Sequence, residues 1–267
     1  MEEPLILAVE TSSRVGSVAL ARGAALLAER TFSAPLQHSA EVFPAIDQLL
    51  NQSGFVSGDI AQVYIAIGPG SFTGLRIAVT MAKVMHLANA TPVVTVNSLD
   101  IIAANIGDAP SALSLQDFGA LPPNRIAAVL DAKRGEFYAA VYQRVKRPPP
   151  ASRTDVVSNT GYLIPAPQEC VWLKAVPDRL ITADHLVKEF AMETALGVLG
   201  DGLLYHQDEF VADNIRVLNE AYWSPRASNV YRLGYQKAQA GLFADALTLT
   251  PLYLRGPHVT VKKSGIL

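Results

Sequence analysis

One stretch limits the folds open to this chain more than any other. The continuous apolar run Val63–Ile67 flows directly into Gly68-Pro69-Gly70-Ser71-Phe72-Thr73-Gly74-Leu75-Arg76. An apolar run without alternation predicts a strand covered on both faces. Beyond the glycines, the spacing predicts a helix over Thr73–Ala88. Strand, glycine-rich turn and helix in that order belong to an α/β layer.

The surrounding sequence extends the layer. Leu5–Glu10 reads as a strand ending in an acid, and Gly16–Ala21 and Leu26–Thr31 follow closely enough to form a meander. A helix is expected around Glu41–Leu50, with Val42, Phe43, Ile46, Leu49 and Leu50 on one stripe and Pro44 in or near its first turn. Val93–Val96 is a further strand, and Ser98 has the chemistry to cap a helix reaching Asn105. Ile106–Asn124, with its glycines and prolines, reads as a linker or variable loop. Arg125–Asp131 then repeats the opening theme: a strand ends in an acid, a short basic turn follows, and Glu136–Gln143 forms the next strand. The echo of Glu10–Gly16 in Asp131–Gly135 suggests two related lobes. Lys146–Ala151 reads as a stiff connection, Thr182–Met192 as a helix and Ala195–Leu199 as a strand. Ser224-Pro225 resembles an N-cap and first position for a helix to about Ala240, stopped by Gly241, and Pro251–Arg255 a terminal strand or extended tail. The division expected is a first lobe over 1–106 with the helix of about 224–241 packed back on it, a second lobe over 107–223, and a tail over 242–267.

Composition narrows the function. At 267 residues the chain can bury about three quarters of its unfolded surface without a staple. No apolar run approaches the ~20 residues that span a bilayer, and Met1-Glu2-Glu3-Pro4 lacks the positive start of a secretory signal. A single Cys170 rules out an internal disulfide and fits a reducing compartment, so a cytoplasmic protein is expected. With 22 Lys and Arg against 24 Asp and Glu, the net charge of -2 argues against a self-sufficient nucleic-acid binder.

The chemistry-bearing residues leave several readings open. The glycine loop is either a tight strand-to-helix turn or a contact for phosphate or a partner, through Thr11, Ser12, Gly68, Gly70, Ser71 and Gly74. It is no Walker loop, since no Lys precedes a Ser or Thr, and Thr73 stands where a GxGxxG fingerprint needs its third glycine. Glu10 and Asp131 could orient magnesium or a metal-bound water, or could each close a turn by accepting from backbone N–H groups. His38 lacks a second donor one turn on, because position 42 is Val; no catalytic residue and no metal site is assigned. On a helical wheel, Thr73, Arg76, Thr80 and Lys83 form one polar stripe, while Leu75, Ile77, Ala78, Val79, Met81, Ala82, Val84, Met85 and Ala88 cover roughly 220° at 100° per residue. That is wider than docking on one sheet requires, so another element of the chain, such as the helix after Ser224, or a partner must cover the surplus.

Together these residues carry a resemblance. Leu5–Leu20, His38-Ser39, Gly68–Arg76, Asp131–Tyr142 and Pro251–Arg255 resemble the TsaB family, also called YeaZ. The resemblance implies the actin- and Hsp70-like ATPase (ASKHA) fold, with two ribonuclease-H-like lobes on mixed sheets. It implies a role in making threonylcarbamoyladenosine beside the tRNA anticodon. The partners implied are the catalytic paralogue TsaD and the ATPase TsaE, with tRNA engaged only through the complex and a homodimer when the chain is alone. TsaD-like chains hold a metal through a His-x-x-x-His pair, and here only His38 stands, so a non-catalytic partner subunit is expected. It would bind no cofactor alone, with ATP or ADP held within the complex. His38, Phe43, Ile77, Met81, Ala82, Val84 and Met85 are the expected partner interface. The rivals are an active nucleotide-dependent transferase or peptidase of the same fold, and an RNA-binding module.

Overall fold

A computed structural model of the chain describes residues 3–32, 38–108, 123–146, 164–166, 170–192 and 195–255. The loop over 147–151 and nearly all of that over 106–124 lie outside the described residues. The chain builds two mixed sheets. The first contains β1 (Leu5–Glu10), β2 (Gly16–Arg22), β3 (Ala25–Phe32), β4 (Ile60–Gly68) and β5 (Val93–Asn97), in the order β3-β2-β1-β4-β5. Into it are threaded α1 (His38–Ser53), α2 (Phe72–Asn89) and α3 (Ser98–Ala103). The second sheet contains β6 (Arg125–Asp131), β7 (Phe137–Lys146), β8 (Ile164–Ala166), β9 (Cys170–Ile181), β10 (Leu196–Leu199) and β11 (Ile215–Val217), in the order β11-β10-β6-β7-β9-β8. A short α4 (Ala183–Glu189) precedes β10, and α5 (Ala227–Gln239) follows the sheet.

The two sheets repeat one plan. β1 pairs antiparallel with β2 and parallel with β4, and β4 continues parallel to β5. In the same relations β6 pairs antiparallel with β7 and parallel with β10, and β10 continues parallel to β11. Even the third antiparallel strand recurs, β3 on β2 and β9 on β7.

Alternation along the strands separates two cores. Leu5, Leu7, Val9, Val63 and Ile65 face α1 and α2, packing on Val42, Leu49, Ala78 and Ala82. Ile6, Ala8, Ala19, Tyr64 and Val94 face the other way and join α3, α5 and the whole second lobe in one apolar cluster. The lobes are therefore fused through shared core. They are also tied by a buried polar network: Tyr142 donates to Asp100 (2.7 Å), and Lys174 bridges Asp100 (2.8 Å) and Asp178 (2.6 Å), the latter also accepting from Asn97. Desolvation works against the Lys174 ammonium, but the two carboxylates outweigh it and hold its pKa above the ordinary value.

Several local expectations are corrected. α1 begins three residues before Glu41, so Pro44 lies in its second turn. Asn97, not Ser98, caps α3, its side chain accepting from Leu99 N and Asp100 N. Ser224-Pro225 does not open α5. The helix starts at Ala227, and its first N–H groups are capped from across the fold: Ser17 Oγ accepts from Ala227 N and Glu29 Oε1 from Ser228 N, both at 2.8 Å. The Glu29 carboxylate is well placed against the positive end of the helix dipole. Gly241 does stop that helix with φ +73°. The helix expected over Thr182–Met192 is confined to Ala183–Glu189 with Thr182 as its cap. Pro251–Arg255 forms no strand. Among the described residues, no helix is long and apolar enough to cross a membrane.

Candidate functional site

Two features stand out, a cluster of acids where the lobes meet and a groove on the outer face of the first. The acids stand where β1, β6 and β10 end. Glu10 is fully buried, and its Oε1 accepts from Ser12 N (2.5 Å) and Ser12 Oγ (2.6 Å), while Oε2 has no hydrogen-bond partner among the described residues. Desolvation pushes its pKa up to about 7; the two Ser12 hydrogen bonds oppose the rise and the charge of Asp201 adds to it. Asp131, at the equivalent strand end of the second lobe, is held by Lys133, which donates from its backbone N (2.6 Å) and its Nζ (2.5 Å). Desolvation is the largest single influence on Asp131 and pushes upward, but the Lys133 bonds and charge together outweigh it, so its pKa is lowered. Asp201, just after β10, is raised by desolvation against hydrogen bonds from Ser13 and the Arg14 backbone. The Arg14 guanidinium lies 4.8 Å from the centre of the Tyr205 ring, a cation–π contact across the lobes. Among the described residues, no group of three or more His, Cys, Asp or Glu side chains is placed to hold a metal ion.

The glycine loop fills its own concavity. Gly70 has φ +154°, and a Cβ there would stand 2.3 Å from Ser12 O; at Gly74 it would stand 1.8 Å from Thr11 O. Only glycine allows the loop to approach the turn after β1 this closely. The contact is sealed by Ser71 N donating to Ser12 O (2.7 Å) and Thr11 Oγ1 to Gly74 O (2.8 Å). Ser71 caps α2, its Oγ accepting from Gly74 N at 3.3 Å. Thr11, Ser12, Gly68, Gly70, Ser71 and Gly74 are thus brought together. Two of the N–H groups that would cradle a phosphate, those of Ser71 and Gly74, already have partners inside the chain.

The groove has a volume of about 750 Å³ and runs between α1 and α2. Phe43 and Ile46 line it from α1, and Phe72, Ile77, Val84 and Met85 from α2, with Arg76 and Thr80 between them. Phe43 is 52 % exposed and Val84 57 %. The groove is thus an open apolar patch shared by two adjacent helices.

The comparisons with known proteins bear on both features. Residues 32–247 match the family model described as TsaD, tRNA N6-adenosine threonylcarbamoyltransferase. The chain is 29 % identical to the tRNA threonylcarbamoyladenosine biosynthesis protein TsaB of Bacillus subtilis, over 94 % of this chain and 93 % of that one. It is 25 % identical to the TsaB of Haemophilus influenzae over 98 % of both. The chain belongs to the TsaD family, as a TsaB (YeaZ) member. The structure of YeaZ from Pseudomonas aeruginosa superposes with a TM-score of 0.70, covering 94 % of this chain and 100 % of that one at 22 % identity, which supports a common fold.

Of the residues expected to meet a partner, Phe43, Ile77, Met81, Val84 and Met85 line the groove, Met81 only at its floor with 5 % exposure. Ala82 is a correction: it points into the chain's own core and is fully buried. His38 opens α1, but its side chain lies outside the described residues. The surplus apolar arc of α2 is not covered by α5, which sits on the opposite face of the sheet. α1 flanks it on one side. On the other runs the segment after α5, where Ala246 is buried in the same core, Lys83 Nζ donates to Leu247 O and Arg76 Nε donates to Tyr253 Oη. Sequence reasoning passed over Phe72, Arg14, Asp201 and Tyr205. The signal for Asp201 was present, because Gly200-Asp201-Gly202 follows a strand as Gly68-Pro69-Gly70 does.

Proposed function

We propose that this chain is the non-catalytic partner of a TsaD-like catalytic subunit, docking through the α1–α2 groove to support threonylcarbamoyladenosine formation on tRNA. The open apolar groove carries the reading, since a helix pair from a related subunit would cover what this chain leaves exposed. The names of the full-length relatives supply the pathway. The repeated sheet plan supports an actin- and Hsp70-like (ASKHA) arrangement of two ribonuclease-H-like lobes, divided as 1–106 with the returning helix of about 224–241, 107–223, and a tail over 242–267. A TsaE-like ATPase joins this assembly, tRNA is engaged through it, and ATP or ADP is held within it rather than on this chain's glycine loop, whose donors do not fit a phosphate cradle. When the chain is alone, a second copy occupies the groove.

The alternative is an active transferase, favoured by the description of the family model. Against it stands α1: Val42, where a metal-binding relative would carry its second His, is fully buried in apolar core.

The test is to place a charge in the groove. Phe43→Glu and Val84→Glu should each abolish co-purification with a TsaD-like subunit while leaving the melting temperature within about 2 °C, as expected for exposed sites changing stability by under ~0.5 kcal/mol. Retained binding by both variants would remove the groove as the docking site. Threonylcarbamoyl transfer by the isolated chain, abolished by Glu10→Gln, would establish the transferase reading instead.

A further inference from the structure

The segment Pro251–Arg255 touches the entrance to the glycine loop, the start of α2 that follows it, and the second lobe. At its start, Leu252 N donates to Ile67 O (2.8 Å), and Leu252 O lies where a Cβ on Gly68 would be, 2.7 Å away, so the segment is pressed against the entrance to the glycine loop. In its middle, the Tyr253 ring packs on Phe72 at 5.2 Å between centres, while its hydroxyl accepts from Arg76 Nε at 3.1 Å. Phe72 and Arg76 both line the α1–α2 groove, with the Arg76 guanidinium 3.7 Å from the Phe72 ring centre. At its end the segment crosses to the second lobe. Arg255 Nη1 donates to Ala132 O (2.8 Å), and Nη2 pairs with Glu136.

The turn that Arg255 grips is itself constrained. Lys133, Arg134 and Gly135 are all left-handed, with φ of +65°, +64° and +73°, an arrangement costly for the two non-glycine residues. Asp131 holds it from within through Lys133, and Arg255 from outside through Ala132 and Glu136. The same turn carries Asp131, whose charge is felt by Asp201.

Apart from this crossing, the lobes meet in two places. One is the Asp100–Tyr142–Lys174–Asp178 network with the shared core. The other lies around Asp201, which accepts hydrogen bonds from the Ser13 side chain and the Arg14 backbone, while the Arg14 guanidinium lies over Tyr205. Arg255 reaches the second lobe independently of both, through the Ala132–Glu136 turn.

The geometry points to a coupling device: Leu252–Arg255 is a strap that links the glycine loop and the groove of the first lobe to the Ala132–Glu136 turn of the second, so that order in that turn and occupancy of the groove favour each other. Its second half rests on the groove being the partner's docking site; the link within the chain does not. Because such coupling is reciprocal, a partner that reorders Phe72 and Arg76 must tighten the distant turn by the same factor by which that turn tightens the partner.

Hydrogen exchange on the full chain tests the link. Arg255→Ala should raise exchange at least tenfold at Ala132 and Glu136, whose amides close the turn, and also at Leu252 and Ser71, whose acceptors are Ile67 O and Ser12 O. Glu136→Gln approaches the same contact from the second lobe and should loosen Leu252 and Ser71 in the first, while Leu196 and Leu218 in the β10–β11 region stay unchanged. If either variant alters exchange only within its own lobe, or not at all, the strap is refuted. Should Arg255→Ala unfold the chain, Glu136→Gln and Tyr253→Phe carry the test at conserved volume: the first removes the charge of the Arg255 pair and weakens it, the second removes the hydroxyl that accepts from Arg76.

Adding a TsaD-like subunit separates the two readings. It should slow exchange at Ala132 and Glu136 in the native chain by at least fivefold, and by less than twofold in Arg255→Ala. Protection that never reaches α1 and α2 would count against groove docking and leave the internal coupling to be judged by the variants. Protection of the groove without protection of the turn would refute the coupling.

Discussion

The two lobes share a sheet plan but differ in what is attached to it. In the first, β4 leads through the glycine loop into α2, a helix of 18 residues, and α1 of 16 residues lies beside it. In the second, the equivalent β10 leads through Gly200 into a 3₁₀ turn of five residues, Asp201–Tyr205, and α4, the α-helix among the described residues of that lobe, has seven. Backbone pairing dictates the sheet and tolerates either outcome. The groove exists because the first lobe carries a long helix pair on its outer face where β10 leads into a short turn. The strand-end acids diverge in the same manner: Glu10 sits in a dry turn closed by serine, Asp131 in a basic turn open to solvent.

The comparison breaks most sharply at the glycines. Gly70 and Gly200 both follow the strand that pairs parallel with the first strand of their lobe, with positive φ, +154° and +126°, and an added Cβ would stand 2.3 Å from Ser12 O or 2.0 Å from Val129 O. If the loops are equivalent in mechanics, Gly70→Ala and Gly200→Ala should each cost about 3 kcal/mol. Calorimetry should then show both melting temperatures falling by roughly 6 °C or more. A fall for Gly200→Ala alone would mean that the first loop yields where the second cannot. Lost partner binding by Gly70→Ala at unchanged melting would make that loop a contact rather than a hinge of shape.

How much of this was legible depended on whether the deciding interaction was local. Val63–Ile67, Thr73–Ala88 and Arg125–Asp131 announced themselves through uninterrupted apolar runs or helical period, and the structure ends those elements within a residue or so. β9 did not, because Pro177 interrupts it and Lys174, Asp178 and Arg179 mask its alternation. The register explains the tolerance: Ala139 faces Arg179 and Val141 faces Val176, so Pro177 and Asp178 together oppose Ala140 in a bulge. Ser224-Pro225 misled for the opposite reason. Its local chemistry suits a cap, yet α5 takes its caps from Ser17 and Glu29, about two hundred positions earlier. In the site, the glycine loop was visible as a motif, but its filling by Thr11 and Ser12 was not. Arg255 could be noted as part of a motif, while the turn it grips depends on tertiary placement.

Glu10 should give the next effect, and its sign is unusual. Its pKa rises from an unfolded 4.5 to about 7, so the folded state binds the proton more tightly. The stability this contributes is fully present below pH 4.5 and is lost as pH rises through about 7, a swing of about 3 kcal/mol. Glu10→Gln keeps an acceptor for Ser12 and cannot ionise. It should flatten the stability curve between pH 5 and 8 and stabilise the chain at pH 8 by about 2 kcal/mol. Denaturant titrations at three pH values read this directly. An unchanged slope would mean that water reaches Glu10 and that the dry turn is not dry.

Asp131 should give the smallest effect, with the opposite sign. Its pKa is lowered, so its contribution is present above the unfolded value of 3.8 and is lost as pH falls through the lower folded value. The pair with Lys133 is largely solvent-exposed on the lysine side, 72 % against 20 % for the acid, and screening leaves such a pair about 0.5 kcal/mol. Asp131→Asn should therefore destabilise by that order at pH 7, by less in 1 M salt, and by progressively less as pH falls through the lowered folded pKa. It should also quicken exchange at the Ala132 amide, because Asp131 Oδ1 braces the left-handed turn through Lys133 N. The double variant Glu10→Gln/Asp131→Asn sharpens the contrast. Desolvation decides one acid and local charge the other, so the two changes should add, leaving Asp201, raised by desolvation, as the acid of this cluster that still titrates with folding. Strong non-additivity would place the two acids in one coupled cluster through Asp201, and the lobes would then differ in their attachments but share one electrostatic site.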